Sequence, residues 1–166
     1  MDSLIYDYIE ENELHHNQSD DIDINSIEFQ TWIKNYLFDK FDNIVEDIDS
    51  YFYNEKITLY REIFVRPDWL EHLKKEGKRL GIFWTYKENM TDSYWGDYDK
   101  GDLKVKMKII IDNKHINWYD TILLNLRNPE EYEIRLFKNT PIKIEGLDID
   151  GKAVDISSIK DKIFLA

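Results

Sequence analysis

Hydrophobic residues fall at helical spacing in the first third of the chain and at strand spacing beyond it. Leu4, Ile5, Tyr8 and Ile9 share one face of a short amphipathic helix over 3–14. His15 to Asp23 is polar and reads as a loop. Asn25 with Glu28 three residues later resembles a capping box. Behind it Phe29, Ile33, Tyr36, Leu37, Phe41, Ile44, Ile48 and Tyr51 recur at steps of three and four. That spacing predicts a helix of about seven turns with one apolar stripe. Its opposite face carries Asp39, Asp42, Glu46, Asp47 and Asp49.

The period changes at residue 57. Ile57 to Val65 is a strand run. Pro67 opens a helix holding Trp69, Leu70 and Leu73, and Gly77 closes it. Leu80 to Tyr86 reads as a second strand, and Glu88 to Trp95 as a short helix ended by Gly96. Leu103, Val105, Met107 and Ile109 alternate with Lys104, Lys106 and Lys108, which predicts a half-buried strand. Trp118 to Leu126 reads as helix. Tyr132 to Phe137 and Ile142 to Ile149 read as strands around the turn at 138–141. Asp148 to Lys152 is a hairpin turn before a last short strand. The predicted class is α+β: an acidic helical segment over 1–56 beside a core over 57–166.

Composition narrows the function. Aromatic residues make up 14% of the 166, too many for a disordered chain despite 34% charged residues. The absence of Cys excludes a disulfide scaffold, a thiol nucleophile and Cys-ligated metal. No two His stand at ligand spacing, so no metal is expected. The net charge of −12 lies wholly in residues 1–56, which hold 15 Asp/Glu against 3 Lys/Arg; residues 57–166 hold 19 of each. A general binder of nucleic acid needs a basic excess that is missing here, whereas a basic partner suits the acidic segment. No apolar run approaches the roughly 20 residues of a membrane span, and the acidic start lacks the basic region of a signal peptide. The expected location is the cytoplasm, of the producing cell or of a host.

Three pieces of the second region carry chemistry. Arg61 lies inside an apolar strand, after Tyr60. A Gly-led aromatic strand with one hydroxyl follows, Gly81-Ile82-Phe83-Trp84-Thr85-Tyr86. A carboxylate pair, Glu131 and Glu133, opens a later strand, with Thr140-Pro141-Ile142 behind it. A P-loop and a Rossmann fingerprint are both absent.

In this order and spacing the pieces, over about 57–149, resemble the mono-ADP-ribosyltransferases with an Arg–Ser–Glu pattern, a group that includes clostridial toxins and phage modifying enzymes. The resemblance implies a split two-sheet core, with NAD consumed as substrate in the cleft between the sheets. It implies Arg61, Tyr60, Trp84 and Thr85 as the NAD-binding set, and Glu133 and Glu131 as the catalytic pair of an E-x-E motif. Glu62 stands where the family often has Gly. Trp84-Thr85-Tyr86 stands where it has Ser-Thr-Ser, which leaves Thr85 to supply the hydroxyl.

The residue types fit that chemistry. A guanidinium grips a pyrophosphate through two hydrogen bonds, as Lys cannot. Cleaving the nicotinamide–ribose bond creates an oxocarbenium-like centre, as in glycoside hydrolysis, and a fixed carboxylate lowers that barrier. Glu133 takes this task. A strand's period of two puts Glu131 on the same face, placed to deprotonate the acceptor.

E-x-E rather than Q-x-E leans, by resemblance, toward an arginine on a protein acceptor, ahead of a nucleic acid. Transfer and plain NAD hydrolysis both remain open, and a phage or bacterial effector is the implied setting. The competing reading is a non-catalytic acidic inhibitor, an immunity-like protein or DNA mimic acting through residues 1–56. Glu131 and Glu133 would then be a solvated strand face, and Arg61 a surface residue paired with Glu62 or Asp68.

Overall fold

The computed structural model describes residues 3–14, 21–40, 54–76, 79–88, 102–128 and 131–166. The expected helix at 88–95 and the extension of the acidic helix past residue 40 lie outside them. So do the turn glycines Gly77 and Gly96.

Strand β1 (Lys56–Val65) pairs antiparallel with β3 (Leu103–Asp112) from Lys56↔Asp112 to Val65↔Leu103. Alternation along β3 supports so long a ladder: the inner face of each strand is apolar apart from Arg61 on β1. Ile57, Leu59, Val105, Met107, Ile109 and Ile111 are buried on that face. Tyr60, Glu62, Lys106 and Lys108 stand on the other. The remaining strands are β2 (Phe83–Thr85), β4 (Glu133–Arg135), β6 (Ile144–Ile149) and β7 (Lys152–Ala153), and the sheet runs β4-β2-β1-β3-β6-β7. All its pairings are antiparallel. Asp150 and Gly151, at φ 50 and 77, form the hairpin turn between β6 and β7.

Two short strands leave this sheet. The expected strand at 142–149 divides at Lys143. Pro141–Ile142 (β5) pairs instead with Phe164–Leu165 (β8) in a separate two-stranded sheet. Proline has no N–H to donate to a ladder, so an edge position suits it.

The α-helices among the described residues are α1 (Ser3–Glu11), α2 (Ile27–Lys40), α3 (Trp69–Glu76) and α4 (Trp118–Arg127). Leu4, Phe29, Ile33 and Tyr119 join the same buried cluster as the sheet. Phe29 meets Tyr8 at 4.9 Å and Tyr119 at 5.4 Å between ring centroids, both edge-on, which ties α1, α2 and α4 together. Fully burying such a side chain stabilises the fold by about 1.5–3 kcal/mol. The acidic helices are therefore built into the core of the sheet.

The cap of α2 differs from expectation. Ser26, not Asn25, accepts from the backbone: Phe29 N–H donates to Ser26 Oγ at 3.1 Å. Asp23 binds Asn25 N–H at 2.9 Å in the preceding turn, so Asn25 belongs to the lead-in. No described helix is long and apolar enough to cross a membrane.

Candidate active site

Three adjacent strands bring the sequence-predicted residues together. Tyr60 on β1 pairs with Thr85 on β2, and Thr85 pairs with Glu133 on β4. Directly opposed residues project to the same side, so these three form one row across the sheet.

Arg61 follows Tyr60 and turns to the other side. Its guanidinium donates from Nη1 to the carbonyl of Leu80, and Cζ stands 5.9 Å from the centroid of the Trp84 ring. Gly81 makes this approach possible. A Cβ built there would overlap Arg61 Nη1, and the residue has φ +82, a conformation that glycine adopts freely. That kink is why β2 starts at Phe83 rather than at Leu80. Leu80 is held from the other side as well, where its N–H donates to Leu165 O at 2.8 Å. The β5–β8 sheet thus anchors the carbonyl that orients Arg61.

Trp84 is expected to touch the cofactor, and the structure corrects this. The ring is 2% exposed, and Nε1 donates to Gly81 O at 2.9 Å. It is core, and it positions Arg61 and the Gly81 turn rather than offering a surface to a ligand.

The carboxylates meet by a route other than the expected one. Glu131 precedes β4, and Tyr132 between the pair has φ 47. A left-handed residue interrupts the pleat, so the two carboxylates are brought together by a turn and not by a strand's period. The strain of a bulky residue there is about 1 kcal/mol. Several contacts hold it. The carbonyl of Tyr132 accepts from Thr85 Oγ1 at 3.1 Å and from Tyr86 N–H at 3.4 Å. The Tyr132 ring lies edge-on to Tyr86 at 5.6 Å, with Lys87 Nζ 5.0 Å from its centroid. Thr85, assigned to the cofactor from the sequence, spends its hydroxyl on this brace and on accepting Lys87 N–H at 3.2 Å.

Helix α4 holds the outer edge of β4 with side chains in place of a further strand. Thr121 Oγ1 accepts from Arg135 N–H at 3.0 Å, and Asn125 Nδ2 donates to Glu133 O at 2.7 Å. Asp120 pairs with Arg135 at 3.2 Å. None of these three residues stood out in the sequence. The one available signal is polar Thr121 and Asn125 spaced i, i+4 on an otherwise apolar helix face.

The electrostatics follow from this packing. Burial raises the Glu133 carboxyl from 4.5 to about 7, and repulsion from Glu131 with a hydrogen bond to it adds to the rise. Arg135 and Arg61 oppose the shift without cancelling it. Burial lowers the Arg61 pKa, and Glu133 pulls it back. Each group therefore feels the other, although among the described residues Arg61 makes no ion pair. A half-buried guanidinium thus lies within electrostatic reach of Glu133, from the opposite side of the sheet, while burial with Glu131 nearby raises the Glu133 carboxyl to about 7. Perturbed charges of this kind suit anion binding beside acid–base or cation-stabilising chemistry. No cluster among the described residues could hold a metal ion.

No family model, curated protein or solved structure matches the chain.

Proposed function

We propose that the protein is an NAD-dependent mono-ADP-ribosyltransferase. One observation carries this reading: adjacent strands β1, β2 and β4 bring Arg61 and the Glu131–Glu133 pair, far apart in the chain, into one part of the sheet, where Arg61 and Glu133 act on each other electrostatically. In this proposal Arg61 grips the NAD pyrophosphate with the N–H groups that Leu80 does not use. Tyr60 and Thr85 stand on the Glu133 side of the sheet, and Thr85 acts by fixing Tyr132. The implied split core goes with the same reading, since the β5–β8 pair supports the Leu80–Gly81 turn beside Arg61.

In the reaction the C1′–N bond of the nicotinamide ribose breaks and its electron pair leaves with neutral nicotinamide. Ionised Glu133 stabilises the cationic sugar left behind. A side chain of an acceptor protein then attacks C1′ and gives up its proton to Glu131. Water in place of that side chain yields free ADP-ribose. The positive nicotinamide ring of bound NAD favours the ionised form of Glu133. The experiment is incubation of purified protein with NAD. Nicotinamide release supports the reading, and neither binding nor release at millimolar NAD removes it.

A further inference from the structure

A groove of about 420 Å³ opens between α2, the start of β1, the turn at Asn113–His115 and the beginning of α4. It shares no lining residue with the Arg61–Glu133 site. Lys34 is half-buried at its wall, with Nζ 6.0 Å from the centroid of the Trp118 ring. Burial alone lowers its pKa. No described carboxylate pairs with it, although Glu55 also lines the groove. The chain carries 34 acidic side chains against 22 basic ones, so a recessed lysine with no carboxylate partner among the described residues is conspicuous.

Gln30, Asn113 and Trp118 of the wall are already committed. Gln30 Nε2 donates to Ile24 O at 2.6 Å and to Asn117 Oδ1 at 3.2 Å, and its Oε1 accepts Trp118 N–H at 2.7 Å. Trp118 Nε1 donates to Asn113 Oδ1 at 2.9 Å, and Asn113 Nδ2 donates to Asn54 O at 3.2 Å. This network fixes the wall before any ligand arrives, which lowers the ordering cost of binding. Apolar surface supplies much of the rest: Ile27, 81% exposed, with Ile116 and Phe137. Lys114 at the rim has Asp112 at 3.7 Å.

We propose that this groove binds a small organic monocarboxylate, its carboxylate on Lys34 and its apolar body against Ile27 and Phe137. The volume falls within the usual range of ligand sites, about 300–1,000 Å³. A single ammonium is a point charge that balances one carboxylate, whereas a phosphate carries more negative charge than one lysine offsets.

The test uses the full chain with 4-methylbenzoate as probe and neutral 4-methylbenzamide as control, followed by calorimetry and by the NMR shift of the Trp118 indole N–H. The carboxylate binds saturably in the millimolar range and moves the Trp118 signal. The amide, and the carboxylate with Lys34→Met, bind at least about tenfold more weakly. Lys34→Gln gives the same loss if the Met variant does not fold. Arg61→Lys leaves this binding unchanged, which separates it from the NAD reading. Equal binding of acid and amide, undiminished binding by the Lys34 variants, or no binding of the acid by wild-type protein would overturn the proposal.

Discussion

The guanidinium of Arg61 occupies the space that a side chain on Gly81 would need. The two residues are coupled twice, because Arg61 also donates to the carbonyl just before that glycine. Gly81→Ala should therefore push Arg61 out of place and add strain of about 1 kcal/mol at a positive φ. We expect a lower melting temperature together with loss of NAD binding by calorimetry. Arg61→Lys gives the complementary case. It spares the turn, costs little stability, and weakens NAD binding about tenfold through loss of the two-pronged grip. A Gly81→Ala variant that binds NAD as wild type would break the link between turn and site.

Thr85 acts through Tyr132. Thr85→Val keeps the shape and removes the hydroxyl that donates to the Tyr132 carbonyl, at a cost of about 1 kcal/mol. Glu131 is then less firmly held against Glu133. The midpoint of Glu133, followed by carboxyl NMR, should fall below 7 but stay above 4.5, because the contribution of Glu131 weakens while burial, the larger cause, remains. Thr85→Ser restores the midpoint. If Thr85→Val leaves both midpoint and activity unchanged, Thr85 braces nothing of consequence.

Part of the fold is legible in the sequence because Leu103, Val105, Met107 and Ile109 alternate with lysines along β3. That alternation tells which face of β3 is buried, while its register against β1 depends on the partner strand as well. The site is legible in part. Arg61 and Glu133 stand out as charges within apolar strands, and the ladder through β2 joins them. Three features escape the pattern, each set by a contact distant in sequence. Tyr132 is left-handed because Thr85, Tyr86 and Lys87 hold it there, and nothing in Glu131-Tyr132-Glu133 alone announces that. β2 is short because Gly81 turns the chain and Leu80 is taken by β8. Pro141 and Ile142 leave the main sheet for the same strand. The Ser26 cap escapes for a more local reason, since Asn25 and Ser26 are both good cap residues and Asp23 decides between them.

Glu133 should make stability depend on pH with a definite sign. Its carboxyl holds a proton to about 7 in the folded protein, against 4.5 without the fold. Between those values the folded state binds more protons than the unfolded one, so stability falls as pH rises through that window. Its contribution is fully favourable below 4.5 and is lost above about 7. Glu133→Gln removes the penalty. The variant should melt above wild type at mildly alkaline pH, and the difference should shrink toward pH 4.5. Thermal melts across that range check this, and a variant less stable than wild type above neutrality would contradict the buried, mutually repelling pair.

If Glu133 acts on the sugar and Glu131 on the acceptor, as proposed, nicotinamide release with and without an acceptor separates the two roles. A guanidino compound serves as the acceptor. Glu133→Gln should abolish release in both conditions, by about 100- to 1,000-fold, with the fold intact by circular dichroism. Wild-type kcat/KM should rise with pH around a midpoint near 7, the value set by Glu133 in the free protein. Glu131→Gln should lose the acceptor-dependent part and keep part of the release in water, since the cationic sugar forms with or without an acceptor. Equal losses from the two substitutions in water would contradict this division of labour. Release that neither substitution changes would contradict the site itself.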